Sequence, residues 1–133
     1  MARHYEVFYC LEQAIRKLIT ETMFEAAGAE WWEQKVPQQI REEVKKLIKG
    51  EVDNGITRRS DRDIDYTTFG QLSVIFSANW VVFQTILKSP RAVEKVMSSL
   101  DLLRGPIAHC CPLSEDEIDR LQLTVKDWFR LIG

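Results

Sequence analysis

Phe8, Leu11, Ile15, Leu18, Ile19 and Met23 recur at three- and four-residue intervals, the spacing of one face of an α-helix. This pattern predicts a first helix from about Tyr5 to Ala27, stopping near Gly28. A second stripe, Ile40, Val44, Leu47 and Ile48, follows Pro37, a residue suited to the first helical turn, with Gly50 placed to terminate it. Between Glu51 and Asp65 the periodicity lapses. Asn54-Gly55 signals a turn, and Arg58, Arg59, Ser60, Asp61, Arg62 and Asp63 make a loop of mixed charge. Asp65 is then expected to cap a third helix that buries Phe69, Leu72, Ile75 and Phe76, with Trp80, Phe83, Ile86 and Leu87 continuing the apolar face beyond a bend. Pro90 opens a helix with Val93, Val96, Met97 and Leu100 inward. Ser114 and Glu117 have the spacing of a capping box, ahead of Ile118, Leu121, Val125, Trp128, Phe129 and Ile132 on one face of a closing helix.

The expected fold is therefore all-α: a single-domain helical bundle of about five to six helices over residues 1–133, with Phe8, Ile15, Ile75, Phe76, Val96, Leu121 and Trp128 in its core. A chain of 133 residues with 45% hydrophobic positions suits one domain and one core. Its formal net charge of −2 supplies no global field for a polyanion, so affinity for nucleic acid has to come from local clusters. Three cysteines, two of them adjacent, make no disulfide framework and read as reduced thiols of a cytoplasmic protein. No apolar run reaches membrane length, and Met1-Ala2-Arg3-His4 lacks a signal-peptide core, so neither membrane insertion nor export is expected.

The chemistry concentrates in Arg104-Gly105-Pro106-Ile107-Ala108-His109. A guanidinium neutralises phosphate, and an imidazole titrating near neutrality moves a proton at the same centre. In an unbroken helix the five steps from Arg104 to His109 turn the chain through about 500°, leaving the side chains about 140° apart. Pro106 is expected to kink or pause the helix and bring them to one side.

Around this motif stand Leu102-Leu103, Ile107-Ala108 and Leu113-Ser114-Glu115-Asp116-Glu117, and upstream Phe69-Gly70-Gln71-Leu72, Asn79-Trp80 and Phe83. On these residues the chain resembles the HEPN superfamily, from about Tyr5 to the end, and within it the branch found in a transcript-surveillance endoribonuclease. The resemblance implies a metal-independent endoribonuclease or RNA-binding domain without cofactor, in which Arg104 steadies the phosphate and His109 transfers the proton. It also implies a homodimer with both motifs lining a shared cleft. One position departs from the pattern: Gly105 stands where active members often carry a polar residue, commonly Asn.

Other groups have competing readings. His109-Cys110-Cys111 has zinc-ligand chemistry, but three consecutive ligands rarely close one tetrahedral site, so no metal is expected. Arg58, Arg59 and Arg62, or Lys45, Lys46 and Lys49, are RNA-binding candidates, although Asp61, Asp63 and Asp65 offset the loop. Trp31-Trp32 is either a stacking or partner-binding patch or a loop anchor. Asn79 is either an RNA contact or a bend residue. The rival for the whole chain is a non-catalytic dimerisation or protein-interaction module, and a toxin–antitoxin or defence setting, alone or within a larger parent chain, is compatible with either.

Overall fold

The apolar stripes fold into seven α-helices and one 3₁₀ turn in the computed structural model, which describes residues 2–108 and 112–132. The helices are α1 (Ala2–Ala27), α2 (Trp31–Lys35), α3 (Gln38–Asp53), α4 (Phe69–Ala78), α5 (Trp80–Phe83), α6 (Pro90–Ala108) and α7 (Glu115–Ile132), with the 3₁₀ turn at Asp63–Tyr66. The protein is all-α, with no strand among the described residues. The helix number exceeds the five to six expected because two short helices carry too few residues to show a period: α2, and α5 beyond the bend. No described helix is long and apolar enough to cross a membrane.

All seven expected core residues are buried. Phe83 packs edgewise on Phe76 at a centroid distance of 4.8 Å, and Trp128 lies tilted against it at 6.3 Å. The central helix is α6, which packs against α4 on one side and α7 on the other through Val93, Val96, Met97, Leu100, Leu103 and Ile107. Trp31 is 7% exposed and Trp32 half-buried, which makes α2 an anchor of the chain between α1 and α3.

Element ends differ from expectation where local hydrogen bonding decides. Gly50 lies inside α3. The helix ends instead at Asn54, where Gly55 takes φ +71°, its N–H donates to Val52 O at 3.0 Å, and the Ile56 N–H donates to Glu51 O at 2.8 Å. That pairing is a Schellman motif, which a left-handed residue is needed to close. Asp65 does not cap α4. Its carboxylate is held by Ser60 and Arg62, and Thr68 caps the helix, accepting from the Gln71 N–H at 3.1 Å while Gln71 Oε1 accepts from the Thr68 N–H at 2.9 Å. The expected box at α7 is present, with Ser114 N–H to Glu117 Oε1 at 2.9 Å and Glu117 N–H to Ser114 Oγ at 3.2 Å.

Pro106 does not interrupt α6, which runs on to Ala108. A proline in the last turn deletes one donor, toward Leu102 O, while Leu103 and Ile107 on the buried side keep that turn seated. Three residues expected on apolar faces stay open to solvent: Leu47 at 50%, Phe129 at 65% and Ile132 at 42%. Each lies at the margin of its stripe, beyond the width that the neighbouring helices cover.

Candidate functional site

Arg104 directly follows the buried Leu103 and sits four residues after Leu100, so it emerges at the edge of the inward stripe of α6. The position puts its side chain on a cleft of about 270 Å³ shared with α1, α3 and the 3₁₀ turn, lined among others by Arg16, Arg59, Asp65, Tyr66 and Leu47. Arg104 is exposed and has no ion pair or hydrogen bond among the described residues. Its guanidinium is accordingly available to an anion.

The floor of the cleft is rigid. Arg16 is 4% exposed, and its Nε donates to Ile64 O at 3.1 Å and its Nη2 to Thr67 O at 2.7 Å, while Nη1 pairs with Glu12 one helical turn back. This arginine is structural: it gives Thr67 O its donor, adds one to Ile64 O, which also accepts from the Thr67 N–H at 3.1 Å, and Glu12 balances its charge. Thr67 adds a hydrogen bond from Oγ1 to Ile64 O at 2.6 Å. Tyr66, 2% exposed, forms part of the wall, with the Arg59 guanidinium 4.3 Å and that of Arg58 5.7 Å from its ring centroid. Both lie within cation–π range.

The loop arginines are not equivalent. Arg58 is paired with Asp63 at 3.1 Å and donates to Asp61 O. Arg62 donates to both oxygens of Asp65, at 3.2 and 3.3 Å, and lies against the α1 surface formed by Tyr9, Gln13 and Lys17 rather than in the cleft. Arg59 alone of the three lines the cleft with Arg104; its carboxylate neighbour, Glu51, is 3.9 Å away. Asn79 is 8% exposed, and its Nδ2 donates to Ile75 O at 3.0 Å and Lys35 O at 3.1 Å, ending α4 and tying it to the end of α2. That side chain is engaged inside the fold, as the bend reading has it. Lys45, Lys46 and Lys49 are exposed on α3 and do not line the cleft.

His109, Cys110 and Cys111 lie outside the described residues, and so does the geometry of the Arg104–His109 pair. Gly105 is exposed, and a Cβ placed on it meets nothing within 4 Å. No side chain at that position orients Arg104.

A family model described as Swt1-like HEPN matches residues 6–133. The chain belongs to the Swt1-like HEPN family. No curated protein and no solved structure matches it. The match begins within the first turns of α1, runs through α7 and spans the Arg104–His109 segment. In this Swt1-like HEPN domain, the contributions of Arg16 and Tyr66 to the cleft are not visible from sequence motifs. The one signal for Arg16 was its place beside Ile15 and Ile19 on an otherwise apolar face, one turn after Glu12.

Proposed function

We propose that this HEPN domain is a metal-independent endoribonuclease in which Arg104 and His109 act on one phosphodiester. The observation that carries the reading is the Arg104 guanidinium, exposed and unpaired among the described residues at the rim of a rigid cleft. His109 takes the proton from the ribose 2′-hydroxyl or gives one to the leaving 5′-oxygen, and Arg104 stabilises the charge that grows on the phosphorane. Since the nucleophile belongs to the RNA, DNA is not a substrate. Two copies pair so that both motifs border one active cleft, doubling the positive charge that an acidic chain otherwise lacks. The exposed free thiol of Cys10 suits a reducing compartment such as the cytoplasm.

A second reading has a specific observation behind it. With no side chain at Gly105, Arg104 has no orienting neighbour there, as in a domain that binds or dimerises without cutting. Labelled RNA incubated with the purified protein and a chelator separates the two. Cleavage is expected to persist, to leave a 2′,3′-cyclic phosphate, and to fall by about two to four orders of magnitude in Arg104→Ala and in His109→Ala. Equal cutting of DNA, loss of activity with chelator, or full activity in both variants refutes the nuclease. A wild type inert on diverse RNAs supports the interaction module, and Gly105→Asn then tests whether the missing neighbour is the cause.

A further inference from the structure

Two carboxylates line the cleft beside its three guanidiniums, and both are already neutralised: Glu12 by Arg16, and Asp65 by Arg62, which reaches it from outside the cleft. Of the other two cations, Arg104 has no carboxylate partner among the described residues and Arg59 has only a long ion pair, with Glu51. Arg59 is 58% exposed and stands 3.9 Å from Glu51, beyond hydrogen-bond length. Its guanidinium lies over the Tyr66 ring. At 4.3 Å the contact is of cation–π type, and an exposed guanidinium in such a contact keeps N–H groups for a phosphate. Among the described residues, the buried side-chain polar atoms without a hydrogen bond are Glu51 Oε2 and Tyr66 OH. Both belong to the residues beside Arg59, and such atoms in a folded protein are met by water, strain or a bound group.

We propose that Arg59 holds an RNA backbone phosphate flanking the scissile one, with Tyr66 and Glu51 positioning its guanidinium. The subsite rests on the reading that Arg104 meets the scissile phosphate. Arg58 and Arg62 do not share it, since each is engaged by an aspartate and neither lines the cleft.

A fluorescently labelled 2′-O-methyl RNA hexamer, whose blocked 2′-oxygens prevent cleavage, measures the contact by anisotropy across a salt series. Arg59→Ala is expected to weaken binding about tenfold, the size of one charge-assisted contact, and to reduce the slope of log affinity against log salt by about 0.7, one phosphate's share on a single strand. Arg59→Lys restores the slope but only part of the affinity, because an ammonium lacks the planar fork. Arg58→Ala leaves the slope unchanged. On ordinary RNA, Arg59→Ala raises KM with kcat retained, whereas Arg104→Ala lowers kcat. Circular dichroism of each variant confirms the helical fold. An unchanged salt slope in Arg59→Ala, or a wild type that does not bind the hexamer, overturns the subsite. If the hexamer results hold while ordinary RNA stays uncut, Arg59 remains a backbone-phosphate contact but its place beside a scissile phosphate falls with the nuclease reading; if RNA is cut and Arg59→Ala keeps its slope, the nuclease stands and the subsite falls.

Discussion

Arg16 and Arg104 border the same cleft with opposite uses of the same group. Arg16 is sunk among Ile15, Ile19 and the 3₁₀ turn, with its donors committed to two backbone carbonyls and one carboxylate, while Arg104 keeps its donors outward. Removing the first is a stability event. Arg16→Leu leaves Thr67 O without its donor and Glu12 without its partner, while Ile64 O keeps the Thr67 N–H and Oγ1, and unsatisfied buried groups of this kind cost about 2–4 kcal/mol. Urea unfolding is expected to show the loss as a lower midpoint with an unchanged slope. A midpoint equal to wild type would mean that water takes over for Thr67 O and Glu12. Removing Arg104 is expected to leave that midpoint where it is.

At the scale of the element, glycines separate helix interior from helix end. Gly50 lies within α3, and a Cβ there meets nothing within 4 Å, so Gly50→Ala is expected to stabilise the protein by about 0.5–1 kcal/mol by removing backbone freedom from the unfolded chain. Gly55 sits at φ +71°, where a side chain crowds the following carbonyl, so Gly55→Ala is expected to destabilise by about 1–2 kcal/mol. Thermal melts of the pair should move in opposite directions. A shared sign would show that the Schellman closure does not govern the end of α3. At the other end of the same loop, Thr68 rather than Asp65 starts α4, since the Asp65 carboxylate is bound to Ser60 and Arg62.

For the whole molecule, the arrangement of α6 between α4 and α7 brings Arg104 to the surface beside the 3₁₀ turn. Leu102, 66% exposed, lies just before it. A homodimer that pairs two such surfaces is expected to appear in sedimentation velocity at micromolar concentration, and Leu102→Asp is expected to shift it toward monomer with the helical content unchanged. A wild type that sediments only as monomer at that concentration counts against the shared cleft.

The apolar periodicity of the sequence determined the all-α class, the buried faces of α1, α4, α6 and α7, the left-handed stop at Gly28 with φ +82°, and the box at Ser114 and Glu117. These depend on residues a few positions apart, so local spacing carries them. The arginine–histidine motif is read from residue type alone, and its role belongs to the proposed function. Tertiary structure decided the rest. It kept α6 helical through Pro106 by burying Leu103 and Ile107, left Leu47 on a cleft instead of in the core, sent Asn79 inward to Lys35 O, and distinguished Arg59 from Arg58 and Arg62. Each of those outcomes turns on a partner far along the chain, as when Arg16 on α1 meets Ile64 and Thr67, and no periodicity within a segment encodes which distant group will fill a hydrogen bond or cover a face.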